Sequence, residues 1–251
     1  MTTKPVAQPA RAGQRPRLTP LPGLTDPIDM LEQIPHVSRA YLILEDHYLI
    51  RPDVFVGSEG WLCLHASEAS HAPRPDCLVS FGVDFPSEEI TNANGYVISE
   101  IGKPPDFVLE VASKTTGRRD YIDKRAIYAG FGVVEYWRFD HTGGRYHDAA
   151  LAGDRLVNGR YEPIPVETGA DGIIRGYSSV LGLELHWHES RLRFWNPATG
   201  EYLPDLTEAK AQRDESQRRA EDERTARRQA EARISELEAE LGRLQSENQS
   251  G

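Results

Sequence analysis

The sequence predicts a mixed α/β fold of the α+β kind: a mixed central sheet flanked by helices, followed by a long charged helix. Three observations predict it. Short runs rich in Val, Leu, Phe and Trp, each bounded by Pro or Gly, recur through the middle of the chain. One stretch of helical period interrupts them and another strand-like run follows, an order that packs helices on a mixed sheet. From Leu206 onward Pro is absent, and Ala, Glu, Arg and Gln dominate.

Taken in order, residues 1–25 hold Lys4, Arg11, Arg15 and Arg17, many prolines and no acid. Without an apolar period they read as a disordered basic leader; the sharper alternative is an arm that touches phosphates. Asp26-Pro27 opens a helical stretch carrying Ile28, Leu31, Tyr41, Leu42 and Leu44, with Pro35 interrupting its middle. Strand-like runs follow at 53–56, 61–64, 77–81 and 107–112. Tyr121, Lys124, Ile127 and Tyr128 then take helical spacing, and Gly130 or Gly132 ends that helix. Residues 133–139 form another strand. Short strands and hairpins fill 150–204, punctuated by Gly172, Gly176 and the Asn196–Gly200 turn. The folded domain is therefore expected over 26–204.

Residues 205–251 form a charged helix on which a heptad frame can be laid. Ile234, Leu237, Leu241 and Leu244 make its seam apolar at the C-terminal end, whereas Arg213, Glu223 and Arg227 interrupt it earlier. A homo-oligomer joined through this helix is expected. The alternative is a solvated single helix held by i,i+4 charge pairs.

The formal net charge is -10, which argues against a broad non-specific grip on phosphates but leaves room for a local basic surface or an acidic metal site. Cys63 and Cys77 have no metal-type spacing, and two isolated cysteines suit a reducing compartment. There is no apolar run of membrane-spanning length and no secretory h-region, so a soluble cytoplasmic protein without a membrane partner is expected.

Side chains alternate along a strand, so in 107–112 Glu110 shares a face with Val108 and Ala112. A carboxylate in such a strand needs a cationic partner, either a metal ion or an Arg or Lys. Asp76 opens a second apolar strand, and two acids on neighbouring strands can converge on one hard cation. Asp120, Lys124 and Tyr128 follow at i, i+4, i+8, on one helical face. Lys124 could orient a water or offset charge in a transition state; otherwise Asp120 and Lys124 are an ordinary ion pair. Asp53, in a similar Pro-Asp context, is expected to be a strand-start residue. His186 and His188 share a strand face without an evident third ligand and read as surface or packing residues. Trp137, Trp187 and Trp195 are expected to fill the core or a hairpin.

The combination of Pro75-Asp76, the run 107–116, Asp120, Lys124, Tyr128 and the run Gly132–Trp137 resembles the Uma-two family, restriction-endonuclease-like proteins of the PD-(D/E)XK nuclease superfamily. The resemblance spans about residues 26–200. It implies a restriction-endonuclease-like core, with Asp76 and Glu110 as the metal-binding acids and Mg²⁺, or Mn²⁺ in its place, as cofactor. The superfamily places a Lys two residues after the second acid. Here that position is Ala112, and the family pattern offers Lys124 as a replacement, with Lys114 ranked behind it. Ser113 and Asp120 fall on recurrent family positions and would support the ligands, and Glu100 is a further candidate ligand. The resemblance implies a metal-dependent endonuclease that hydrolyses phosphodiester bonds in DNA. The alternative is an inactive nuclease fold that acts in binding or assembly through its C-terminal helix.

Overall fold

The computed structural model describes residues 17–22, 33–114 and 117–249; side chains of 117–121, 235, 236 and 238–249 are outside that description. Helix α1 spans Ile34–Tyr48, followed by strands β1 (Val54–Gly57) and β2 (Trp61–Cys63). After a 3-10 turn come β3 (Cys77–Phe81), α2 (Ser87–Asn92), β4 (Gly95–Val97) and α3 (Ile98–Ile101). Next are β5 (Phe107–Val111), α4 (Gly117–Phe131) and β6 (Glu135–Phe139). Strands β7 (Leu151–Val157), β8 (Arg160–Ile164) and β9 (Val166–Thr168) follow. The domain closes with β10 (Ile174–Ser178), β11 (Leu183–His188), β12 (Arg191–Asn196) and β13 (Glu201–Tyr202).

Six strands make the main sheet in the order β1-β3-β5-β6-β7-β8. Only β5 and β6 run parallel, with α4 as their crossover; the other neighbours are antiparallel. A mixed sheet results, as the element order predicts. A second, antiparallel sheet has the order β13-β12-β11-β10-β9, and β2 pairs in parallel with β4.

Alternation along β5 divides the core. Phe107, Leu109 and Val111 enter a cluster with Val37, Ala40, Ile43 and Leu44 of α1 and with Leu185 and Phe194 of the second sheet. The spacing of the α1 residues is that of a single buried helical stripe. Val108 points the other way, into a cluster with Leu78, Tyr128, Val133 and Tyr136 under α4. Glu110 therefore projects towards α4. Gly132, at φ +87°, ends α4 in the left-handed conformation, its N–H donating to the Tyr128 carbonyl at 3.1 Å.

Several local expectations are corrected. Pro35 does not interrupt α1 but stands in its first turn, where a missing N–H costs nothing. Gly176 lies inside β10 rather than at a turn. A Cβ there would come within 2.8 Å of the Trp137 ring, and one at Gly153 within 2.9 Å of it, so the two glycines make the slot that holds this indole. Residues 17–22 of the expected leader are docked: Leu21 is buried, its N–H donates to the Ala93 carbonyl at 2.9 Å, and Trp61 Nε1 donates to the Pro22 carbonyl at 2.9 Å. The rest of the 1–25 leader, and the Asp26-Pro27 start expected for the first helix, lie outside the described residues.

Pro204–Gly251 form a separate unit containing α5, Leu206–Gln249, a 44-residue helix. Leu206, Ile234 and Leu237 are exposed on it. Among the described residues, no helix is long and apolar enough to cross a membrane.

Candidate metal and active site

The β3–β5 register pairs Cys77 with Leu109, which sets Asp76 opposite Glu110 one position further on. Residues directly opposed in an antiparallel pair present their side chains on the same face about 5 Å apart. The two acids so far apart in sequence are thus brought together by strand pairing, both buried.

Each is held. Asp76 Oδ2 accepts from the Val111 N–H at 2.6 Å and from Gln33 Nε2 at 3.0 Å. The same Gln33 amide donates to the Val111 carbonyl at 2.8 Å. Glu110 Oε2 accepts from Lys124 Nζ at 2.9 Å, and Glu110 Oε1 accepts from the Tyr128 hydroxyl at 2.6 Å. Lys124 and Tyr128 are one helical turn apart on α4, as their spacing predicts. Burial, the Glu110 charge and the bond to Glu110 raise the Tyr128 pKa well above the usual tyrosine value, so it stays a proton donor.

The charge balance of this pair is incomplete. Arg138, in register with Glu110 on the adjoining parallel strand, is engaged by Asp154 and Asp148. Arg125 of α4 also binds Asp154, at 2.8 Å, and reaches the Tyr161 carbonyl. Among the described residues, two buried carboxylates are left with one ammonium group, and Asp76 responds: burial first, then the Glu110 charge, push its pKa well above the ordinary carboxylate range, against the pull of Lys124.

This donor set fits a hard divalent cation. A carboxylate has about four lone-pair sites, so Asp76 and Glu110 keep coordinating capacity beyond the bonds they make. Among the described residues no group of three or more His, Cys, Asp or Glu side chains assembles, so a cation would take its remaining oxygens from main chain and water, as Mg²⁺ commonly does.

The other expected site residues divide. Ser113 is buried at the end of β5. Lys114 is exposed in the turn beyond it, and Lys124 is the lysine that meets Glu110. Glu100 is not at the pair: it sits on α3, where its carboxylate accepts from the Thr19 N–H and hydroxyl. The side chain of Asp120, on α4, lies outside the described residues. Asp53 stands just before β1, paired with Arg51 at 2.8 Å. His186 is a packing residue bonded to Tyr202 and Glu184. Gln33 was missed. Its only sequence signal is a polar residue two places before Pro35, at the mouth of a helix.

Glu135, in the run that carries the resemblance, is structural. Fully buried, it accepts from Arg155, Ser178, Ser179 and Trp137 and so ties the main sheet to the second one. Beside the acids, a cleft of about 760 Å³ opens between α1, β1 and β2. It includes Ser58 and Glu59, which bond the main chain of Asp76 and Pro75.

A family model, Uma2, described as "Putative restriction endonuclease", matches residues 36–188. A search of curated proteins returned no match. Among solved structures, the chain is similar to the crystal structure of a putative nuclease belonging to DUF820 from Anabaena variabilis ATCC 29413. Identity is 15%, the TM-score is 0.40, and the match covers 59% of this chain and 74% of that one.

Proposed function

Because this chain belongs to the Uma2 restriction-endonuclease family, we propose that it is a divalent-cation-dependent endonuclease that hydrolyses phosphodiester bonds in DNA at Asp76, Glu110 and Lys124. The observation that carries this reading is the buried Asp76–Glu110 pair, served among the described residues by the ammonium group of Lys124. A third full carboxylate would be needed for a caged structural metal, whereas an open two-acid site leaves positions for water and a phosphate oxygen.

Asp76, Glu110 and the Val111 carbonyl are the groups that would hold Mg²⁺ or Mn²⁺. Such an ion supplies Lewis-acid polarisation of the phosphate and lowers the pKa of a water molecule. The protein's own groups do the positioning. Gln33 and the Val111 N–H fix one Asp76 oxygen, leaving the other for coordination. Tyr128 fixes one oxygen of Glu110, and Lys124 shares the second. From there the Lys124 ammonium orients the attacking water or offsets charge as the phosphorus centre becomes five-coordinate.

The test is cleavage of duplex and single-stranded DNA and of RNA, with Mg²⁺, Mn²⁺ or chelator. DNA cleavage that needs the cation and disappears in Asp76→Ala and Glu110→Ala is the expected result. Cleavage that survives both substitutions refutes the assignment. The exposed Leu206, Ile234 and Leu237 of α5 favour a second role, self-association through that helix. If neither cleavage nor metal binding occurs under any condition, an assembly protein on a nuclease fold is the better reading.

A further inference from the structure

A second cluster of chemically active side chains adjoins the carboxylates, on the ends of β5 and β6. His36 follows Gln33 by three residues on α1, so the two lie on neighbouring parts of one helical face. Its ring stacks on that of His141, just beyond β6, with centroids 4.6 Å apart and planes within 16° of parallel. It also lies 5.6 Å from the Phe139 ring. Phe139 is the register partner of Val111, whose N–H holds Asp76. The imidazole pair therefore lies on the α1 face of the sheet, opposite the face that Glu110 takes, and comes near Asp76 at the start of α1, where Gln33 binds it.

Among the described residues, both Nδ1 atoms are buried without a hydrogen-bond partner, although both residues are only half-buried. A neutral imidazole that makes no bond through Nδ1 has Nε2 as its remaining donor position. Burial first, and then the neighbouring His141, Arg39 and Arg191, bring the His36 pKa down to about 4. Arg191 is exposed at the start of β12. The turn before it places Glu189 and Ser190 at φ 49° and 62°, two non-glycine residues in the left-handed region. Donors and guanidinium groups gathered in one place, in a chain of net charge -10, form a local field that attracts an anion.

We propose that His36, His141 and Arg191, with Arg39 beside them, form an anion subsite that takes a backbone phosphate of the nucleic acid, at the end of the sheet where Gln33 reaches Asp76. The assignment to a nucleic-acid phosphate rests on the nuclease reading; the anion subsite itself rests on this cluster alone. The bound oxyanion accepts from the two Nε2 edges and from the Arg191 guanidinium, and its charge offsets the cationic repulsion. His36 consequently becomes easier to protonate when it is present.

Two measurements on the full chain, both in chelator, test this. In the first, inorganic phosphate is titrated while the histidine ring signals are followed by NMR. Saturable movement of the His36 and His141 signals is expected, with the His36 pKa rising, and Arg191→Gln should weaken the response several-fold. In the second, affinity for a labelled DNA duplex is measured against salt. Arg191→Gln should lose about tenfold in affinity and about one unit of salt slope, as expected for one phosphate contact. His141→Gln should lose affinity at every salt concentration. Both substituted residues have solvent-exposed surface, and the melting temperature of each variant verifies its fold.

DNA binding with affinity and slope unchanged in both variants overturns the subsite and leaves the nuclease reading standing. Rings that respond to phosphate in a protein that binds no DNA at low salt keep the anion subsite and overturn its assignment to DNA. No ring response together with unchanged DNA binding overturns the proposal outright.

Discussion

Replacing Lys124 with Met removes the ammonium group that meets Glu110 while keeping the length and apolar stem of the side chain. Breaking a buried ion pair by deleting one partner costs roughly 3–5 kcal/mol. Lys124 and Glu110 keep 20% and 6% side-chain exposure, and Tyr128 still holds the other Glu110 oxygen. The lower end applies, about 3 kcal/mol. At roughly 2–4 °C per kcal/mol for a domain of this size, Lys124→Met should melt about 6–12 °C below the parent in chelator. Mn²⁺ should then recover much of the loss, because a cation present at a hundred times its Kd adds about 2.7 kcal/mol. Cleavage should nevertheless fall by roughly 10²–10⁴-fold, since a metal ion at the acids does not replace the positioned donor. Thermal melts with Mn²⁺ or chelator, followed by a cleavage assay on the same samples, give all three quantities. A melting temperature within about 1 °C of the parent in chelator would mean that Lys124 does not stabilise Glu110. An equal Mn²⁺ gain in Glu110→Gln would mean that the ion binds elsewhere.

Gln33→Leu removes the donor that bridges Asp76 and the Val111 carbonyl. Its expected cost is about 2–3 kcal/mol in stability, with a Mn²⁺ affinity about 10–100-fold lower by calorimetric titration. The raised pKa of Asp76 makes folding favour its protonated form. In chelator, its contribution is fully present below the ordinary aspartate pKa and is lost as pH rises through the raised one; urea midpoints against pH should show that decline, and Asp76→Asn should abolish it. Gly153→Ala drives a Cβ to 2.9 Å from the Trp137 ring, and overpacking of this kind should cost about 1–3 kcal/mol by denaturant titration. Deleting 206–251 should lower the solution mass to that of a single domain in light scattering; an unchanged oligomeric state would remove α5 as the assembly element.

Glu110 was legible because a carboxylate inside an apolar strand has to be explained, and Asp76 because it stands at the start of another such strand. Lys124 and Tyr128 were legible because helical spacing fixes which residues share a face. Gln33 was not, because its role depends on where α1 starts, and Pro35 reads equally well as a break or as a first-turn residue. Glu100 was misplaced for a related reason. It is ten residues from Glu110 in sequence, but α3 and β4 follow a parallel pairing of Trp61 with Gly95 that no local pattern announces. Gly176 read as a turn because a glycine in a short polar stretch usually marks one. Its actual cause, the indole of a residue nearly forty positions earlier, is visible only once the two sheets are packed.

The missing lysine at position 112 has a physical counterpart in the way α4 is fastened. Ala112 lies two residues after Glu110 and therefore on its face, fully buried. A charge at that position would be delivered by the strand itself and would be indifferent to the helix above. Here the ammonium group comes from α4, so the electrostatics of the acid pair depend on how that helix is seated. Tyr128 on Glu110, and Arg125 on Asp154 and the Tyr161 carbonyl, help to seat it. Asp154 also engages Arg138, the cation that stands in register beside Glu110. One carboxylate thus holds the helix down and at the same time occupies the neighbouring guanidinium, which would otherwise compete with Lys124 for Glu110. Loss of Asp154 would loosen α4 and release Arg138 towards Glu110 together. An arginine seated there would satisfy the charge without leaving coordination sites open, turning a cation site into a closed salt bridge.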